Sequence, residues 1–113
     1  MADCLFCKIV EGELPAEIVH ETDETIAFKD INPGAPTHVL VIPKRHITSA
    51  QDLTAGDGGL LGEMFAAMAS IAGEAKLDGG HRIVTNIGPD AGQSVHHLHF
   101  HLLGGRNLTW PPG

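Results

Sequence analysis

The sequence predicts an α+β fold, with about five strands in an antiparallel sheet and one main helix. Three observations carry this. Short β-branched or alternating segments are separated by brief polar or Pro/Gly-containing turns, which is the spacing of hairpins. Only one stretch, beginning at Leu60, repeats apolar residues at three- and four-residue intervals for long enough to make a main helix. The length of 113 residues suits a single domain, 1–113, and no internal repeat or long linker divides it.

Taken in order, Leu5, Phe6 and Ile9 predict one or two helical turns over 4–10, ended by Gly12 and Pro15. Segments 17–21 and 25–29 read as a hairpin around Glu21-Thr22-Asp23-Glu24. Asn32-Pro33-Gly34-Ala35-Pro36 is a rigid loop that feeds a buried strand over 38–42, stopped by Pro43. Segment 46–53 is read as a helical turn. The main helix is capped by Asp57, carries Leu60, Leu61, Met64, Met68, Ile71, Ala72 and Ala75 on one face, and ends at Asp78-Gly79-Gly80. Strands are expected over 82–87 and 95–103, joined by a glycine-containing loop. The tail Trp110-Pro111-Pro112-Gly113 can continue neither helix nor sheet.

Composition narrows the function. Hydrophobic residues make up 42% and charged residues 19%, which is globular rather than disordered. A net charge of -7 argues against a nucleic acid polymer as partner, because gripping its backbone takes basic residues. A single nucleotide stays open, since a pocket can be locally basic. No apolar run reaches the roughly 20 residues of a membrane span, so no membrane partner is expected. Met1-Ala2-Asp3-Cys4 has no basic-then-apolar leader pattern, and two cysteines make no disulfide framework. A reducing, cytoplasmic compartment is the expectation.

Eight histidines stand beside no tyrosine. His97, His99 and His101 alternate with Leu98, Phe100 and Leu102, which places three imidazoles on one strand face and the apolar residues on the other. Same-face neighbours lie roughly 6.6 Å apart, so three rings cannot share one atom. The middle ring can meet a reacting centre while the outer two serve its periphery. Gly92-Gln93-Ser94, just before, offers close backbone approach and N–H and hydroxyl donors for an anion. Imidazole with an anion cradle suits phosphoryl or nucleotidyl transfer. The competing readings are a metal strip or a solvated polar face. Cys4 and Cys7 form a Cys-x-x-Cys pair. No thioredoxin-like unit surrounds it for redox work, zinc needs two further ligands, and plain thiols are the third reading.

His97-Leu98-His99-Phe100-His101-Leu102-Leu103 resembles the signature of the histidine triad (HIT) superfamily. Phe28-Lys29-Asp30-Ile31, Ala35-Pro36-Thr37-His38, Gly92-Gln93-Ser94-Val95 and the Trp-Pro-Pro-Gly end resemble its nucleotide-binding (HINT) branch. The resemblance implies a homodimer whose five-stranded sheets join, with Trp110 reaching the partner's site. It implies hydrolysis of the P–N bond of purine nucleoside phosphoramidates, typically of AMP. By resemblance His99 is the nucleophile, His101 lies near the leaving amine and phosphate, His97 is a catalytic helper that becomes a structural ligand first where zinc is bound, and His38 supports a triad ring. Ser94, Asn86 and the backbone around Gln93 and Val95 would hold phosphate or leaving group. Asp30 would accept the ribose hydroxyls, and Leu5, Phe6, Ile9, Phe28 and Ile31 would surround the base. Relatives with a Cys-x-x-Cys imply a structural zinc on Cys4, Cys7, His46 and His97. The alternatives are a nucleotide- and zinc-binding interaction module with little catalysis, and a dinucleoside polyphosphate hydrolase.

Overall fold

The computed structural model describes residues 3–113. Met1 and Ala2, which open the segment read above for a leader, lie outside them. The strands are β1 (Ile18–Glu21), β2 (Thr25–Lys29), β3 (Thr37–Pro43), β4 (His81–Val84) and β5 (Phe100–Gly104), and the helices are α1 (Leu5–Val10) and α2 (Gly58–Glu74). All strand pairings are antiparallel, in the order β1-β2-β3-β5-β4. Hairpin order therefore holds for the first three strands. β5 enters between β3 and β4, which leaves β1 and β4 as edges.

Period-two alternation builds two cores, one on each sheet face. Ala27, Val39, Val41, Phe100 and Leu102 pack against Met64, Met68 and Ile71 of α2. Ile26, Phe28, Leu40 and Ile42 point the other way and are covered by Phe6 of α1. No helix among the described residues is long and apolar enough to cross a membrane.

The structure departs from the sequence reading at several places. β4 ends at Val84 rather than 87, and β5 begins at Phe100 rather than 95. The stretch before β5 spends its polar groups elsewhere: the Leu98 amide donates to the Ile47 carbonyl at 2.6 Å, and the Thr85 hydroxyl donates to the His99 carbonyl at 2.8 Å. Asp57 precedes α2 but makes no side-chain cap on it. Its carboxylate instead closes a capping box with Thr54 and accepts from Arg45, and the Thr54 amide and then the Arg45 guanidinium hold it below the usual carboxylate range. Within 46–53 the only helical turn is a short one at Ala50–Asp52.

β5 leaves the sheet through Gly105, at φ +93, where an added Cβ would sit 2.9 Å from the Pro36 ring. Pro36 leads the loop into His38. Gly105→Ala combines a disfavoured dihedral with this overlap, and we expect it to lower unfolding free energy by about 2 kcal/mol in urea titrations.

Candidate functional site

The alternation before and within β5 sends Leu98, Phe100 and Leu102 into the α2 core. The histidine rings turn to the opposite face. Phe6 of α1 meets His97 and His99 edge-on, at centroid separations of 6.0 and 5.1 Å, and the His99 and His101 rings are 5.1 Å apart. His97 and His99 are buried, and His101 is half-buried.

Backbone partners fix which ring nitrogen carries each proton. His99 Nδ1 lies 2.7 Å from the His97 carbonyl, which can only accept. The proton is therefore on Nδ1, and Nε2 keeps a lone pair. His38 is set the opposite way. The Gly34 amide donates to its Nδ1 at 2.9 Å, so its proton is on Nε2, 2.8 Å from His101 Nδ1 and 3.4 Å from Asp30 Oδ2. His101 then accepts at Nδ1 and is left with an Nε2–H donor. Burial, with His99 and His38 beside it, pushes the His101 pKa down to about 4, against an opposing pull from Asp30. The ring is neutral at pH 7.

This shift has a stability consequence. A histidine at its ordinary 6.5 in the unfolded chain and about 4 in the native one takes up more protons unfolded across that window. Stability is therefore held above pH 6.5 and falls as pH drops towards 4. Burial shifts His97 in the same direction. We expect urea midpoints to decrease steadily from pH 7 to pH 4.5, and His101→Asn to flatten the slope.

Next to the triad lies a second constellation. Cys4 Sγ and Cys7 Sγ sit 3.3 and 3.6 Å from His97 Nδ1, and Cys7 Sγ sits 3.4 Å from His46 Nδ1. All four ligand atoms lie within 4.8 Å of one another. A tetrahedral zinc with sulfur and nitrogen ligands has S···N edges of about 3.5 Å. His97 Nε2 donates to the Pro43 carbonyl at 2.8 Å, so the Nδ1 lone pair faces the sulfurs. A ring N–H held by a carbonyl is the usual outer support of a histidine ligand. Burial, partly offset by the Pro43 bond, keeps His97 neutral, and burial beside Cys4 raises the Cys7 thiol. A cation is the natural means of making that thiol a thiolate. Asp30, His38 and His101 also converge. That trio is a poorer metal site, because the Gly34 donor leaves a proton, not a lone pair, on His38 Nε2.

The preceding loop is held by the Gln93 side chain. Its carbonyl accepts from Gly88, and its amide donates to the Thr48 and Val95 carbonyls at 2.8 and 3.1 Å. Ser94 is exposed, and Val95 and Asn86 are half-buried. Leu5, Ser94, Val95 and His96 line one hollow with Cys4 and His46. Of the residues expected around a base, Phe6 and Phe28 are buried edge-to-face at 5.5 Å, and Ile9 packs on their cluster. Leu5 is 52% and Ile31 92% exposed, so neither is part of a closed pocket. Trp110 is also exposed, and Arg82 ties down the tail beside it through the Leu108 and Thr109 carbonyls. Sequence reasoning missed Gly34, Pro43 and Thr85. Each acts through a backbone atom or a long-range hydroxyl contact, which leaves no residue-type signal.

Comparison with known proteins places this geometry. A family model described as the scavenger mRNA decapping enzyme C-terminal binding region matches residues 3–108. A HIT-like protein of Synechococcus elongatus is 50% identical over 111 residues, covering 98% of this chain and 97% of its own. The crystal structure of a HIT family hydrolase from Legionella pneumophila superposes with a TM-score of 0.96 at 47% identity, covering 98% of this chain and all of that one. The chain belongs to the histidine triad family. A 14 kDa zinc-binding protein of Zea mays is 42% identical over 111 residues, 96% of this chain and 87% of its own. The cluster of Cys4, Cys7, His46 and His97 in this HIT chain is compatible with zinc.

Proposed function

We propose that this HIT protein is a HINT-like hydrolase that cleaves the P–N bond of purine nucleoside phosphoramidates, of the AMP type, through a nucleotidyl-histidine intermediate. One observation carries the reading. The His97 carbonyl holds the His99 proton on Nδ1, which leaves the lone pair on Nε2 of a ring that stands 5.1 Å from the His101 imidazole. Neutral imidazole is a good nucleophile near pH 7.

In the first step the Nε2 lone pair bonds to phosphorus as the P–N bond breaks, and the departing nitrogen takes up a solvent proton to leave as an amine. In the second, water bonds to phosphorus, the P–Nε2 bond breaks, and water's proton returns to solvent. The Nε2–H of neutral His101 donates to the oxygen or nitrogen that gathers charge, and His38 fixes that donor from behind. Ser94, Asn86 and the loop backbone at Gln93 and Val95 hold phosphate. Asp30 accepts the ribose hydroxyls with the carboxylate that also faces His38. Phe6, Phe28 and Ile9 back the base, and exposed Leu5 and Ile31 stand at the open rim beside it. A homodimer brings exposed Trp110 towards the partner's site.

Cys4, Cys7, His46 and His97 would hold zinc in a closed set of four protein ligands. Zinc there supplies structural cross-linking and no open coordination position. Elemental analysis of protein purified without added metal should find one zinc per chain, and none in Cys7→Ser. For the reaction, incubation with adenosine 5′-monophosphoramidate should release AMP and ammonia, and acid-labile nucleotide should be trapped on His99 in a brief quench. Tight AMP binding with no turnover would instead favour an interaction module.

A further inference from the structure

We propose that metal in the Cys4, Cys7, His46 and His97 cluster sets the orientation of the His99 ring, so that the site positions the nucleophile as well as bracing the fold. This rests on the reading of His99 as nucleophile and of the cluster as a metal site. Two independent connections join them.

The first runs through a single residue. The His97 ring faces both sulfurs through Nδ1, at 3.3 and 3.6 Å. The carbonyl of the same residue accepts the His99 Nδ1–H at 2.7 Å. That hydrogen bond decides which His99 nitrogen bears the lone pair and where it points. A ligand bond on the His97 ring restrains the position of its backbone, and with it the carbonyl.

The second connection runs through Phe6. It lies between the two cysteines in sequence, on a six-residue helix whose buried residues are Phe6 and Cys7. A helix this short does not hold itself in water. Whatever clamps Cys4 and Cys7 to the sheet also presses Phe6 edge-on against His99, at 5.1 Å and 86°. Without metal, the weak thiol–imidazole contacts and the packing of Phe6, Ile9 and Val10 are left to hold α1. The core between α2 and the sheet includes no residue of the cluster, so the body of the fold does not depend on it.

The test uses the whole chain labelled with 15N-histidine, in zinc-loaded, chelator-stripped and cadmium-loaded forms. Three quantities are read: circular dichroism, the His99 ring nitrogen shifts, and kcat and KM for adenosine 5′-monophosphoramidate. Stripping should leave the sheet spectrum in place. It should convert His99 from one fixed Nδ1–H tautomer to an averaged one, and lower kcat about tenfold to a hundredfold with little change in KM. Zinc should restore both. The larger cadmium ion should shift the His99 nitrogens while the protein stays folded, which keeps the test valid should the stripped form unfold. Identical His99 shifts and kcat across the folded forms overturn the proposal and leave zinc as a brace. A zinc-loaded protein with no phosphoramidate turnover defeats the proposed activity alone, because the His99 shifts still report the coupling.

Discussion

Replacing His99 with alanine should lower phosphoramidate turnover by about 10⁴-fold or more, while the protein stays folded and still binds AMP. The size follows from the two-step scheme. Without the ring, water must attack phosphorus directly, and the neighbouring groups supply only positioning and charge stabilisation. His101→Ala should cost less, about 10²-fold, because it removes one donor to developing charge and leaves the nucleophile in place. Stability should fall modestly in His99→Ala, since the ring fills space beside Phe6 and donates one hydrogen bond to the His97 carbonyl. Single-turnover kinetics of both variants, with thermal melts as a control for folding, provide the measurement. A loss under about tenfold in His99→Ala would show that no covalent step passes through this ring.

What made this site legible was periodicity. The strict alternation of His97, His99 and His101 with Leu98, Phe100 and Leu102 needs only the two-residue period of extended chain to put three rings on one face. The structure groups them so, although regular pairing starts only at Phe100. The main helix and the first hairpin were legible for the same reason. The proton positions were not. They depend on the Gly34 amide under His38, the Pro43 carbonyl under His97 and the His97 carbonyl under His99. Backbone atoms carry no residue identity, so no pattern in the sequence could announce them. Asp57 failed as a cap for a comparable reason: Thr54 and Arg45, both outside the helix, compete for its carboxylate. Convergence of Cys4 and Cys7 with His46 and His97 across 39 and 93 positions came from resemblance, because spacing of that length predicts nothing about proximity.

Removing metal from the four-ligand cluster should lower the melting temperature by about 15 °C. A ligand present at a thousand times its dissociation constant adds about 4 kcal/mol to the native state, and in a domain of this size each kcal/mol corresponds to about 4 °C. The loss should be unevenly spread. Metal ties α1 to His46, just after β3, and to His97, before β5, whereas α2 packs on the other sheet face. Stripped protein should therefore expose α1 first. Hydrogen exchange should speed most at the amides of Lys8 and Glu11, which donate to the Cys4 and Cys7 carbonyls, and least in β3, at the centre of the sheet. Cys7→Ser should reproduce the melting shift without chelator, since serine retains the shape but not the soft thiolate that zinc selects. Equal protection of α1 with and without metal would mean that the packing of Phe6, Ile9 and Val10 alone anchors the helix, and that the four ligands sit together without a cation to hold them.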